Sequence, residues 1–297
     1  MGIFARAGLA AAFAWMCAPA MAQNNPPAPK TTDMGGGIYV IFGQGGNIGV
    51  STGPDGAFVI DDQYANNAAA NLAKVKELAG GAPKYLINTH WHGDHAGGNV
   101  EFGKAGAMIF ASENVRKRLS GETPSAFGGQ AYKPADKIGW PVITFVEGVD
   151  FHFNGETIKV INMKPAHTDG DVMLFFSEPN ILHMGDIFFN GLFPVIDVGS
   201  GGSIKGYLEA MQQAYAVTDD KTRIIPGHGE IGTRADLKKQ IDMLDGAIKV
   251  VEARIKAGDT LAQVKTKKVL TPWSKWAWSF INEDQFTETL YNGLKAK

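Results

Sequence analysis

Three histidines and an aspartate are crowded into one short run of the chain. They are His90, His92, Asp94 and His95, within the sequence THWHGDHAGGN at 89–99. Neutral imidazole nitrogen and carboxylate oxygen are ligands that Zn²⁺ takes in catalytic sites, where three protein ligands leave one position open for water. So many ionisable groups in one place need a charged partner, and they are too many for one such ion. The run therefore predicts a site for more than one metal ion.

Glycines at 93, 97 and 98 let the backbone of this run turn sharply. Alternate residues can then point to different centres. We expect His90 and His92 to face one metal ion, and Asp94 and His95 to face another.

Further ligands must come from elsewhere in the chain. His167, Asp186 and His228 each follow a predicted strand or turn. Strand ends bring distant residues to one edge of a sheet, where loops on a rigid scaffold usually carry the function. Taken alone, each of the three is as readily a capping or turn residue. Beside the first motif, we interpret them as metal ligands.

The periodic spacing of apolar residues indicates the strands and helices that position these residues. A short strand at 85–87 leads directly into the histidine run. Other predicted strands are 38–42, 47–51, 57–60, 107–110, 142–146, 150–153, 157–162, 172–176, 180–184 and 222–225, and predicted helices are 64–79, 112–119, 203–216, 233–256 and 283–295. Two similar halves of strands followed by helices predict an α+β fold in which two sheets pack face to face between helices, a four-layer αββα sandwich.

The early histidine run and the three later residues, in that order, resemble the metallo-β-lactamase superfamily over about residues 38–229. The resemblance implies a metallo-β-lactamase fold with two Zn²⁺ ions per chain. It also implies the ligands position by position: His90, His92 and His167 for the first zinc, Asp94, His95 and His228 for the second, and Asp186 as a bridge between them.

Such a pair of ions implies hydrolysis. Two Zn²⁺ ions lower the pKa of a shared water toward neutrality and polarise the carbonyl that it attacks. We expect Asp94 to be catalytic, because it orients this water as well as binding metal. No serine or cysteine nucleophile is then needed, so we predict direct hydrolysis without a covalent intermediate.

Differences between this sequence and particular branches of the superfamily narrow the range of candidate substrates. Some β-lactamases carry a cysteine ligand about where Asp186 stands, and the single cysteine, Cys17, lies far away in the N-terminal segment. The aspartate resembles glyoxalase II-like thioesterases and lactonases instead. Diiron oxygen reductases usually have a glutamate where His92 stands.

Three hypotheses about function follow. We favour a cyclic amide or ester substrate, with β-lactam hydrolysis as the leading activity and a lactonase or glyoxalase II-like thioesterase as the alternative. An exported protein that binds metal or ligand without catalysis is a hypothesis of another class. A single redox iron, as in persulfide dioxygenases, is a third.

The N-terminal segment predicts export. Arg6, an apolar run at 9–15 and the small-x-small signal Ala20-Met21-Ala22 are typical of a secretory signal peptide at 1–22. A proline-rich, flexible N-terminus is predicted at 23–36, and one domain at 37–297 with its C-terminal helices at about 233–297. The predicted location is periplasmic or secreted.

Composition excludes some partners. The formal net charge is −2, and becomes −3 when Arg6 leaves with the signal peptide. No basic face of the kind that nucleic acids require is evident, and no apolar run reaches the ~20 residues of a membrane span. We therefore predict a small-molecule substrate, with no nucleic acid or membrane partner. The oligomeric state is not encoded in any recognisable pattern.

Several other residues have two interpretations each. Asp61 and Asp62 either orient a metal-bound imidazole or cap a helix. An apolar wall for substrate and ordinary core packing are equally good interpretations of five aromatic residues, Phe127, Tyr132, Trp140, Phe189 and Phe193. For Trp273, Trp276 and Trp278 we favour packing of the C-terminal helices over a partner-facing patch.

Overall fold

The structure is a computed structural model that describes residues 28–121, 123 and 132–295. The strands of a first sheet are β1 (Lys30–Gly35), β2 (Ile38–Phe42), β3 (Ile48–Gly53), β4 (Gly56–Ile60), β5 (Pro83–Ile87), β6 (Met108–Ser112) and β7 (Ile143–Phe145). Those of a second sheet are β8 (Gly148–Phe153), β9 (Glu156–Asn162), β10 (Val172–Phe176), β11 (Ile181–Phe189), β12 (Arg223–His228) and β13 (Gly232–Thr233). The α-helices are α1 (Ala68–Ala79), α2 (Gly93–Ala96), α3 (Asn99–Lys104), α4 (Glu113–Ser120), α5 (Ile204–Val217), α6 (Arg234–Lys256), α7 (Leu261–Thr266) and α8 (Glu283–Lys295).

Both sheets are mixed. The first has its strands in sequence order, antiparallel from β1 to β4 and parallel from β4 to β7. The second has the order β13-β12-β11-β10-β9-β8, and within it only β11 and β12 are parallel. The helix α5 connects β11 to β12, as a parallel pair requires a crossover.

Alternation along the strands divides the apolar residues between two faces of each sheet. In β2, Val40 faces the layer between the sheets while Ile41 faces α1 on the outside. The outer face of the second sheet packs on α5, α6 and α8, through residues such as Met211, Leu244 and Leu290. The layers are therefore helix, sheet, sheet, helix, which confirms the predicted αββα sandwich.

The structured part of the chain begins earlier than predicted. We placed the start at Gly37 and a flexible segment before it, but β1 pairs with β2 from Lys30 onward. This is an edge strand whose side chains, apart from Met34, are almost all exposed. It carries no apolar alternation for a sequence pattern to detect, because Met34 is its only buried side chain. The predicted signal peptide lies outside the described residues.

Two short helices lie within and directly after the histidine run. The sequence pattern did not predict α2 or α3, because each has too few turns to show helical periodicity. Within the described residues, no helix combines the length and the apolar character that crossing a membrane would take.

One buried histidine links the stability of this fold to pH. His183 lies in β11, completely buried. Its Nε2 is 3.2 Å from the Asn47 carbonyl, and its Nδ1 accepts a hydrogen bond from Gly185 N–H, so the neutral ring is satisfied and a second proton would have no acceptor. Burial accordingly lowers the pKa of His183 to about 4.

We expect this histidine to destabilise the metal-free protein in acid. Between about pH 6.5 and pH 4 the unfolded chain binds a proton that the folded chain excludes, so stability falls as the pH falls through this window. From pH 7 to pH 5 the contribution is about 2 kcal/mol. Urea unfolding at both pH values, in a chelator, measures it. The variant His183→Gln, which cannot titrate, should lose less stability over the same interval by about that amount, and equal losses in both proteins would contradict the assignment.

Candidate metal centre

Six of the seven predicted ligands lie where strands end at one edge of the two sheets, and the seventh, Asp186, lies within a strand. The histidine run follows β5, and its second half forms α2. His167 lies in the turn between β9 and β10, Asp186 lies within β11, and His228 is the last residue of β12. A backbone hydrogen bond of 2.9 Å from Val172 N to Thr89 O joins the two sheets beside the site.

The structure brings all seven predicted ligands together in two adjacent clusters. In each cluster the potential ligand atoms lie within 4.8 Å of one another. The first cluster is His90, His92, His167 and Asp186, all buried, and the second is Asp94, His95 and His228, of which Asp94 and His228 are partly exposed. This division matches the one that the family resemblance implied.

Asp186 lies between the clusters and turns one carboxylate oxygen to each. Its Oδ1 is 3.0 Å from His95 Nε2 and 3.5 Å from His228 Nε2, in the second cluster. Its Oδ2 is 3.3 Å from His167 Nε2 and 3.8 Å from His90 Nε2, in the first. A carboxylate in this position can serve two cations at once.

Partners behind the first cluster determine which nitrogen of each ring carries the proton. His167 Nδ1 is 2.7 Å from the Val195 carbonyl, which can only accept, so we assign the proton to Nδ1 and a lone pair to Nε2. His92 Nε2 is 3.0 Å from Asp197 Oδ2, which leaves the lone pair of His92 on Nδ1. The two lone pairs then face one another across 2.8 Å.

Asp61 determines the position of the proton on two further imidazole rings. One carboxylate oxygen, Oδ2, accepts from His95 Nδ1 at 2.7 Å and from the Thr89 hydroxyl at 2.7 Å. Because that hydroxyl donates to Asp61, its oxygen accepts from His90 Nδ1, 3.0 Å away. The lone pair of His90 Nε2 therefore also points into the site, and His95 Nε2 faces Asp186 Oδ1 there at 3.0 Å. Of the two interpretations of Asp61, the structure supports the orientation of an imidazole, and Asp62 instead accepts from Gly98 N–H.

These residues fit a pair of metal ions. Three imidazole lone pairs, of His90, His92 and His167, and a buried carboxylate converge on a small volume, and His90 Nε2 is buried with no hydrogen-bond partner. Lone pairs that face each other repel unless a cation lies between them, and buried polar atoms rarely lack a partner. The two His/Asp clusters therefore form a site for two metal ions.

The two clusters differ in charge when no metal is bound. Burial lowers the pKa of His167 to about 4, and burial together with the charge of His95 lowers that of His90 well below its usual value. For His228 burial opposes the charged form, but the carboxylates of Asp186 and Asp94 raise its pKa to about 9. At neutral pH His90 and His167 are thus deprotonated and open to metal. His228 must release a proton first, and so must His95, whose pKa the carboxylates of Asp186 and Asp94 raise against the effect of burial.

Asp94 stays ionised throughout. Burial would raise the pKa of this carboxyl, but the charge of His95 and a hydrogen bond from His228 lower it to about 2. The distance between Asp94 Oδ2 and His228 Nε2 is 3.1 Å. The second cluster therefore always offers an anionic ligand.

Two glycines allow the backbone to approach the ligands closely. A Cβ atom on Gly46 would overlap the His95 imidazole, and one on Gly227 would overlap Asp186 Oδ1. We interpreted the glycines near position 46 only as turn residues, because nothing in the local sequence signals a contact with His95. Thr89 and Asp197, which orient ligands, were also missed, because their partners are set by the fold.

A cavity of about 640 Å³ opens over the two clusters. Of the aromatic residues that we considered for its wall, Tyr132 and Phe189 line it. Phe193 does not, because it is fully buried and stacks on Phe286, and Trp140 instead donates its indole N–H to Ala135 O. Phe127 lies outside the described residues.

The C-terminal tryptophans divide between two roles. Trp276 is buried in the core beside α5, α6 and α8, and Trp273 packs against it, as we favoured for all three. Trp278 also contacts this core but lines the cavity as well. That second role is a correction to the interpretation from the sequence.

Comparisons with known proteins agree with this fold and site. The family model described as the metallo-beta-lactamase superfamily matches residues 35–228. The chain therefore belongs to the metallo-β-lactamase superfamily.

Curated relatives include a hydroxyacylglutathione hydrolase from a Synechococcus species, 27% identical over 53% of this chain and 54% of its own length. Another is the human acyl-coenzyme A thioesterase MBLAC2, 21% identical over 64% of this chain and 72% of its own. The chain spans about half the length of the hydroxyacylglutathione hydrolases that it matches.

Solved structures share the fold. A metallo-beta-lactamase from Pontibacter korlensis superposes with a TM-score of 0.61 at 18% identity, over 73% of this chain and 99% of the other. The sec-alkylsulfatase Pisa1 from a Pseudomonas species does so with a TM-score of 0.65 at 16% identity, over 89% and 50%.

We expect Asp61 to control metal affinity without contacting metal. In Asp61→Asn only one acceptor oxygen remains for the Thr89 N–H, the Thr89 hydroxyl and the His95 ring. Metal affinity should fall by roughly 10–100-fold, the usual effect of losing a group that orients a ligand. Competition with a chromophoric chelator measures it.

The neighbouring carboxyl offers a matched control. The Asp62 side chain accepts from Gly98 N–H rather than from a predicted ligand, and an asparagine oxygen can keep that contact. Burial raises the pKa of Asp62 well above its usual value, so loss of its charge is tolerated better than at an exposed carboxylate. Asp62→Asn should keep metal affinity within about threefold. If the two variants bind metal equally well, Asp61 does not orient the ligands.

Proposed function

We propose that this protein is an exported di-zinc hydrolase that cleaves a cyclic amide or an ester with water. One observation carries the proposal: imidazole lone pairs and carboxylate oxygens converge in two clusters at the floor of an open cavity.

Zinc suits the donor set. Neutral imidazoles and carboxylates, with no thiolate among the described residues, are the ligands of catalytic zinc sites. His90, His92 and His167 would hold one ion, and Asp94, His95 and His228 the other, with Asp186 shared. When bound, the two ions would lower the pKa of a water molecule and polarise the carbonyl under attack.

Asp94 is the residue that we assign to catalysis. Its side chain is 19% exposed, at the cavity floor, and its depressed pKa keeps it a hydrogen-bond acceptor at every physiological pH. An ionised carboxylate here accepts a hydrogen bond from the attacking water and so directs the oxygen lone pair toward the substrate.

The lining of the cavity favours direct attack by water. The described residues that line it include no serine, threonine, cysteine or lysine. Covalent catalysis needs a nucleophilic side chain beside an activating base. The reaction proposed here therefore has no covalent intermediate on the protein.

Two substrate classes have support. The fold is that of structures described as metallo-β-lactamases, which fits our leading candidate, a β-lactam. The curated relatives are described as thioester hydrolases, which fits a lactone or thioester equally well.

Export rests on the signal peptide predicted at 1–22. N-terminal sequencing of periplasmic protein tests it, and we expect cleavage before Gln23.

We expect hydrolysis to depend on Asp94. The purified protein, with and without added zinc, would be assayed on a nitrocefin-type β-lactam, an acyl lactone and a glutathione thioester. Asp94→Asn should lower kcat/KM on the order of 10²-fold on whichever substrate is cleaved, because the amide cannot accept from water as the carboxylate does.

A distant aspartate serves as the control. Asp220 is 96% exposed and lies just before β12, at the end opposite His228. Asp220→Asn should leave kcat/KM unchanged. Tight zinc binding with no turnover on any of the three substrates would overturn the proposal in favour of a protein that binds without catalysis.

A further inference from the structure

Part of the cavity wall comes from a segment beyond the residues that match the family model. Trp278 and Phe280 line the cavity from the stretch between the 3₁₀ turn at Thr271–Trp276 and α8. The family model ends at residue 228. We call this stretch, residues 277–281, the C-terminal wall.

Hydrogen bonds hold the C-terminal wall against the loop that follows β11. The Trp278 indole N–H donates to Phe193 O at 3.0 Å, and Phe193 N–H donates to Trp276 O at 2.7 Å. Trp278 N–H donates to Ile281 O at 3.0 Å, which closes the turn. The indole is thus fixed in place before any ligand arrives.

The aromatic surface is continuous from the wall to a metal ligand. The ring centroid of Trp278 lies 5.5 Å from that of Phe280, 6.1 Å from that of Phe189 and 6.0 Å from that of His228. Phe189 in turn stacks on His228, with 4.9 Å between centroids and 17° between planes. A group bound at the second cluster therefore lies beside this surface.

Among the described residues that line the cavity, the histidines and acidic residues are all predicted ligands at its floor, and none is a lysine or an arginine. An anionic group held away from the metals would lose its hydration without gaining a cation, which is costly, whereas an apolar group would gain by burial.

We infer that Trp278 and Phe280 select substrates in which the group attached to the reacting carbonyl is apolar and uncharged, such as a medium-chain alkyl or an aromatic acyl group. The inference rests on the proposed function only in placing the carbonyl over the metal clusters. It disfavours substrates with an anionic acyl group and favours esters, lactones or amides with an apolar acyl chain.

Binding of unreactive amides tests this without requiring turnover. Hexanamide, acetamide and the anion succinamate would be titrated into the zinc-loaded and the metal-free protein and followed by calorimetry or ligand-observed NMR. Hexanamide should bind at least about tenfold more tightly than either of the others, because its added methylenes leave water for the aromatic wall. Equal affinities for hexanamide and acetamide, or tighter binding of succinamate, would overturn the inference.

Three variants locate the effect. Trp278→Ala and Phe280→Ala should each reduce the preference for hexanamide over acetamide by about threefold or more. Phe280 is 47% exposed, so its replacement leaves the core intact even if loss of Trp278 does not. Trp273→Ala, which removes a tryptophan that packs near Gly246 on α6, should leave the preference unchanged once folding is verified by circular dichroism. A preference that survives both wall variants would contradict the assignment.

The inference and the proposed function can fail separately. If p-nitrophenyl acetate and hexanoate are hydrolysed with equal kcat/KM and the amides show no preference, the enzyme is a hydrolase without this wall function. If neither ester nor any other substrate is cleaved but hexanamide still binds preferentially, the wall is a binding surface and the hydrolase proposal fails.

Discussion

The arrangement of this site depends on imidazole lone pairs that are held facing one another in a buried volume. His92 and His167 approach to 2.8 Å with no proton assigned between them, because Asp197 and the Val195 carbonyl retain the protons on the far side of each ring. Such an arrangement is unfavourable for the bare protein and favourable around a cation. The fold thus holds in its interior nitrogen lone pairs that a metal ion would stabilise. The surrounding hydrogen bonds prevent the imidazole rings from rotating away.

The rest of the structure supplies the rigidity that this requires. The two sheets meet beside the site through backbone hydrogen bonds, and glycines at 46 and 227 bring the chain against His95 and Asp186 where a side chain would not fit. Asp61 has a left-handed backbone conformation, with φ of 61°. Unusual backbone conformations of this kind persist only where their surroundings enforce them, and here the carboxylate serves His95 and Thr89 together.

Much of the site could be predicted from the sequence because its first four ligands are neighbours in the chain. His167, Asp186 and His228 were recognisable once that run was known, since strands that end at one sheet edge bring them together. Asp197 could not be predicted, because it lies 105 positions from His92 and no pattern near it differs from that of an ordinary turn. Trp278 is similar: helix packing explains two of the three tryptophans, and only the path of the chain after Trp276 brings the third to the cavity.

The fold shows the same limit. Alternation of apolar residues predicted most strands, and apolar residues at helical spacing predicted the long helices, because burial imposes those periods on the sequence. The edge strand β1 is mostly exposed and carries polar residues, so burial leaves almost no trace there.

Anomalous diffraction from crystals of the zinc-loaded protein, recorded on both sides of the zinc absorption edge, tests the central claim most directly. The account predicts two peaks per chain, one among His90, His92 and His167 and one among Asp94, His95 and His228, with an oxygen of Asp186 turned to each. A single peak, or none at these histidines in protein that has been saturated with zinc, would contradict it.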